Sequence, residues 1–126
     1  FDNLVPESGF YGPREPDGLF WPAPDCAVRV ALPADTTDLY IQGIRATDCM
    51  AMPQTLAVSV NGRPVGSETI TSEAFCRIFT VDRDILAGGD TAVIHMTVSP
   101  VFFRAQCMDT DDDRPYGLGI SEVCFR

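Results

Sequence analysis

Leu56, Val58 and Val60 alternate with Ala57 and Ser59, and the run ends at Asn61-Gly62. Period-two alternation places one set of side chains on one face of an extended strand. Asn-Gly supplies the two left-handed residues of a type I′ turn, so the chain is expected to reverse there and pair with itself. Similar short runs recur at 27–32, 39–44, 65–70, 75–81, 91–98 and 119–125. Glycine, proline or acidic turns separate them. A loop at 82–90, with one helical turn near 84–87, closes at Gly88-Gly89. No stretch carries apolar residues at helical spacing over three turns. The expectation is an all-β fold, an antiparallel β-sandwich of about seven to eight strands.

The first two dozen residues differ. Pro6, Gly9, Gly12, Pro13, Pro16, Gly18, Pro22 and Pro24 leave no room for a helix. The stretch nevertheless holds Phe1, Phe10, Tyr11, Phe20 and Trp21. Aromatics on irregular chain either pack across a sheet or form a ligand platform. With no repeat and no linker, 1–126 reads as one β-sandwich domain with an irregular aromatic segment at 1–25. Phe1 stands where an initiator Met would, as expected of an excised or processed chain.

Charge excludes several functions. Nine Arg and no Lys face eighteen Asp and Glu, a formal charge of −9. Phosphate-backbone binding needs clustered cations, so no nucleic acid is expected as partner. No apolar run is long enough to span a bilayer, so no membrane insertion is expected either.

The five cysteines, Cys26, Cys49, Cys76, Cys107 and Cys124, form no C-x-x-C pair. Cys26, Cys76 and Cys124 lie in apolar runs and read as buried reduced thiols, small hydrophobes in effect. The odd count leans toward a cytoplasmic setting. The alternative is an exported domain with one or two disulfides, for which Cys49 and Cys107, both near loops, are the first candidate pair.

Catalytic motifs are absent. His95, the only histidine, sits mid-strand, and no serine has a G-x-S-x-G context. Glu7, Glu15, Glu68, Glu73 and Glu122 offer carboxylates without singling out a pair. No enzyme is expected. The dense acidic run Asp109, Asp111, Asp112, Asp113 raises a Ca²⁺ alternative through Asp109, Asp111 and Asp113. It lacks the glycine and later glutamate of an EF-hand loop. A solvated loop in which Asp112 or Asp113 pairs with Arg114 or Arg104 is the expected arrangement, with no cofactor.

Three patches resemble a known family: Gly9-Phe10-Tyr11-Gly12-Pro13-Arg14-Glu15 with Gly18-Leu19-Phe20-Trp21; Val58-Ser59-Val60-Asn61-Gly62; and Asp112-Asp113-Arg114 with Leu118-Gly119-Ile120. Together they are similar to the small jelly-roll-like β-sandwich accessory domain of bacterial glycosyltransferases and polysaccharide-assembly proteins. The resemblance implies a non-catalytic domain whose partner is a glycan or a neighbouring glycosyltransferase domain. Pro115-Tyr116-Gly117 stretches the last patch beyond the family's usual gap.

From the residues themselves, Arg114 is expected to fork onto Glu15 or Asp17 and clamp the chain's ends. Gly119 would let the last strand come close, with Tyr11 and Trp21 beside it. The candidate ligand-binding set is Tyr11, Glu15, Trp21, Asp112 and Arg114. The competing function is a protein-interaction module, anchored by Phe102 and Phe103 in a loop.

Overall fold

The computed structural model describes residues 4–126 of the chain. Ten strands form among the described residues: β1 (Val5–Ser8), β2 (Asp25–Ala31), β3 (Asp38–Ile44), β4 (Gln54–Val60), β5 (Arg63–Ile70), β6 (Ala74–Thr80), β7 (Thr91–Ser99), β8 (Phe102–Phe103), β9 (Pro115–Tyr116) and β10 (Gly119–Phe125). A helical turn, Arg83–Leu86, precedes β7, and a 3₁₀ turn, Arg104–Gln106, follows β8. Phe1 lies outside the described residues.

Two antiparallel layers face each other, a five-stranded sheet β1-β2-β7-β4-β5 and a three-stranded sheet β10-β3-β6. The chain changes layer between β2 and β3, β3 and β4, β5 and β6, and β6 and β7. The result is the jelly-roll-like β-sandwich expected from the alternation. At the β4–β5 turn, Asn61 and Gly62 have φ of 49° and 82°, as a type I′ hairpin requires.

Period two decides what lies inside. Val28 and Val30, Leu56, Val58 and Val60, and Ile94 and Met96 point from the larger sheet onto Leu39, Ile41, Phe75, Phe79, Val123 and Phe125 of the smaller one. Burying each such side chain is worth about 1.5–3 kcal/mol, which makes this layer the main source of stability.

Three strands escape the alternation reading. All four residues of β1 are exposed, so it carries no apolar phase, and it pairs only along the β2 edge. β8 and β9 are two residues each, too short to show a period. Cys26, Cys76 and Cys124 are free thiols as expected, but their expected burial needs correction at Cys76 and Cys124, and the first candidate disulfide forms. Cys49 and Cys107 form a disulfide with Cα atoms 5.3 Å apart. Cys26 is buried, its thiol pushed up to about 12 first by desolvation and then by neighbouring Asp25. Cys76 is exposed, because Phe75 and Phe79 take the inward phase of β6. Cys124 is half-buried.

Among the described residues no helix is long and apolar enough to cross a membrane.

Candidate functional site

A second, smaller core closes one end of the sandwich. Met50, Phe102 and Tyr116 are buried there, with Tyr11, Trp21, Ala46 and Cys49 packed on them. They come from three separate segments: the irregular chain before β2, the loop between β3 and β4, and the β8–β9 region. Phe102 stacks on Tyr116 at 5.7 Å between ring centroids, and Trp21 meets Phe102 edge-on. Phe102 is therefore a core residue rather than an exposed anchor, which corrects the interface expectation for Phe102, while Phe103 is half-buried.

Two glycines let these segments approach. A Cβ at Gly119 would stand 2.6 Å from Trp21 Cζ2, so the indole lies directly on the start of β10. A Cβ at Gly43 would stand 1.9 Å from the Gly119 carbonyl oxygen on the paired strand.

Beneath lies a polar knot that sequence reading passes over. Buried Arg45 donates from Nε to Gln54 Oε1 (3.3 Å), from Nη1 to the Thr71 carbonyl (2.9 Å), and from Nη2 to the Met50 (3.1 Å) and Met52 (2.5 Å) carbonyls. Fully buried Gln54 donates in turn to the carbonyls of Pro100 (3.1 Å) and Gly117 (3.0 Å). The knot joins the β3–β4 loop to both chain segments flanking β8 and β9. Its signal is visible in hindsight: Gln54 and Arg45 occupy the inward phase of β4 and just past β3, where the pattern calls for apolar residues.

On this floor the charged groups assemble. Arg114 forks onto Asp112, Nε to Oδ1 at 2.9 Å and Nη2 to Oδ2 at 3.0 Å, and its guanidinium covers the Tyr11 ring at 4.3 Å. Tyr116 donates its hydroxyl to Asp112 and accepts from Arg114 at 2.9 Å. Arg104 donates to Glu15 Oε2 at 2.8 Å, approaches Asp112 Oδ2 at 3.9 Å, and lies 4.2 Å over the Tyr116 ring. Trp21 Nε1 donates to Asp17 at 3.0 Å, and the Tyr11 hydroxyl to the Pro115 carbonyl at 2.7 Å.

The five expected site residues thus gather in one place, but the clamp is not the expected one. Arg114 does not reach Glu15 or Asp17. Asp112 is two residues upstream, and its Oδ1 also accepts the Arg114 backbone N–H at 3.2 Å, so a local turn hands that fork its carboxylate at little entropic cost. Arg104 ties the ends instead. Arg104 and buried Tyr116 are the site residues that sequence reading left out of the candidate set.

Electrostatics follow the contacts. Hydrogen bonds from Arg114, then from Tyr116, hold the Asp112 carboxyl well below the usual carboxylate range. Burial, reinforced by the bond to Asp112, raises the Tyr116 hydroxyl; burial also raises that of Tyr11. At neutral pH Asp112 is a carboxylate beside the Arg114 guanidinium, while Tyr116 and Tyr11 keep their phenolic protons. Asp109, Asp111 and Asp113 are exposed, and among the described residues no three His, Cys, Asp or Glu side chains converge as an ion would require. His95 Nε2 lies 2.5 Å from Asp25 Oδ1 on the outer face of the larger sheet, away from this site.

Two adjoining hollows open at the cluster. A cleft of about 350 Å³ runs over Tyr11, Arg14, Glu15, Arg104, Arg114 and Tyr116. A niche of about 190 Å³ is lined by Asp17, Ala46, Phe102 and Met108. Glu15, Trp21 and Arg104 border both.

No family model matches the chain, and no curated protein sequence matches it. Among solved structures, the native structure of a family 35 carbohydrate binding module from Clostridium thermocellum aligns at 12% identity and a TM-score of 0.42, over 96% of this chain and 85% of that one.

Proposed function

We propose that this chain is a non-catalytic carbohydrate-binding module whose ligand seat is the cleft over Arg104 and Arg114. One observation carries the reading: two paired guanidinium groups, Arg114 with Asp112 and Arg104 with Glu15, stand among the rings of Tyr11, Trp21 and Tyr116 at an open cleft. Sugars offer hydroxyls to planar donors and acceptors and C–H faces to rings, and a preorganised site loses little ordering entropy on binding them. Tyr11 gives one ring face to Arg114. Its part is mainly to position that arginine, while Trp21, Glu15 and the outer arginine edges meet the ligand.

The sequence resemblance supports a place beside a glycosyltransferase or in polysaccharide assembly. The Cys49–Cys107 disulfide supports an oxidising compartment, the exported alternative, over the cytoplasm.

Trp21 is the only tryptophan and borders both hollows, so its emission reports occupancy directly. Titration with a broad glycan panel is expected to perturb it saturably for at least one member, and Arg114→Ala to abolish the effect. Silence across the panel would refute the reading.

A further inference from the structure

We propose, resting on the carbohydrate reading, that the niche beside the cleft seats an acetamido group, so that the ligand class is an N-acetylated amino sugar. Three walls of the niche, Ala46, Phe102 and Met108, offer only apolar surface, and Trp21 adds its ring. A sugar hydroxyl pushed against them would lose water without gaining a partner. Polar groups sit on the border shared with the cleft. Arg104 uses Nη2 on Glu15 Oε2, and among the described residues its Nε donates no hydrogen bond while Glu15 Oε1 accepts none.

An acetamido group matches this division. Its methyl fits the apolar walls, its carbonyl accepts from a guanidinium, and its N–H donates to a carboxylate. The ring bearing it would then occupy the larger cleft among Arg104, Arg114 and Tyr11. Charge argues against the other substituents. Glu15 and Asp17 repel an anion, and Arg104 at the same border opposes an ammonium. A plain hydroxyl leaves the walls unused. Met108 is more than half exposed, a flexible thioether able to close over a methyl.

The test compares matched oligosaccharides by Trp21 emission. Cellotriose, N,N′,N″-triacetylchitotriose and the fully deacetylated amine trimer differ only in the C2 substituent of each ring, and an N-acetylgalactosamine and galactose pair repeats the comparison. The acetylated members are expected to bind roughly tenfold tighter than the plain ones, the discrimination a methyl-sized group gives in an apolar pocket. Met108→Glu, at an exposed site, and Ala46→Leu, which fills the niche, are expected to bring that ratio to about one. Equal binding of acetylated and plain sugars overturns the acetamido inference and leaves the carbohydrate reading standing. Tightest binding of the amine trimer also overturns it, by making the niche a cation site. No response from either series overturns the acetamido inference, and the carbohydrate reading is then decided by the broad glycan panel.

Discussion

Arg104 and Glu15 stand 89 positions apart in the chain and 2.8 Å apart in space. This contact ties the irregular segment before β2 to the turn after β8. The guanidinium also lies 4.2 Å over the Tyr116 ring centroid, so one side chain holds a carboxylate and contacts a ring.

Arg104→Ala is expected to lower unfolding free energy by about 2 kcal/mol, the scale of a hydrogen bond between charged groups. Arg104→Lys should recover little, because an ammonium keeps the charge but loses the planar fork and the stacking. Urea denaturation of both variants checks this. A lysine variant as stable as the parent would show that charge alone suffices.

The Cys49–Cys107 disulfide closes a loop with a sequence separation of 58. A chain-entropy treatment assigns such a loop about 4 kcal/mol. Reductant is therefore expected to lower the melting temperature of the parent, and to leave the Cys49→Ser/Cys107→Ser double variant unmoved. A parent melt indifferent to reductant would contradict the bond's role.

The sandwich was legible because its strands obey one rule with few exceptions. β10 follows the expected 119–125 run, and the Asn61-Gly62 turn has the required left-handed backbone. The Tyr11, Glu15, Trp21, Asp112 and Arg114 neighbourhood was legible too, because clustered turn formers, rings and charges occur near both ends. The Asp112–Arg114 pair was among those expected of the acidic loop, but the clamp was not legible: a local turn commits Arg114 to Asp112 and leaves Glu15 to Arg104. Arg45 and Gln54 were hidden for the opposite reason: polar residues on an inward phase look like interruptions until their acceptors, scattered over four segments, are brought together.

Gln54→Leu keeps the volume and removes every bond. The Pro100 and Gly117 carbonyls and Arg45 Nε would each lose a partner. At about 1–3 kcal/mol for each stranded buried group, a total loss above about 3 kcal/mol is expected. Calorimetry measures it, and hydrogen exchange should show the loops around 45–53 and 100–118 losing protection before the strands. A stabilised variant would mean the knot is dispensable.

Gly119→Ala tests how Trp21 is seated. The added methyl would lie 2.6 Å from Cζ2, so the indole must swing outward. Its emission should move to longer wavelength, with a cost of about 1–3 kcal/mol typical of overpacking. Gly43→Ala is expected to cost more, because its clash is with the Gly119 carbonyl on the neighbouring strand and backbone yields less readily than a side chain. Equal stabilities for the two variants would place the close strand approach in doubt.

Asp112 sets the acid limit. Its carboxyl is depressed in the folded state by Arg114 and then Tyr116, whereas in the unfolded chain it titrates near the ordinary value of about 3.9. Between the two values the unfolded state binds the extra proton, so stability rises with pH. The contribution is complete above about pH 4 and is lost as pH falls toward the depressed folded value. Asp112→Asn is expected to be less stable than the parent at pH 7, with the two curves converging as the pH drops below about 4. Denaturation midpoints collected from pH 7 down to pH 2 check the sign. A gap between the two proteins that stays constant through that range would show that the Asp112 carboxylate is not held by Arg114 and Tyr116.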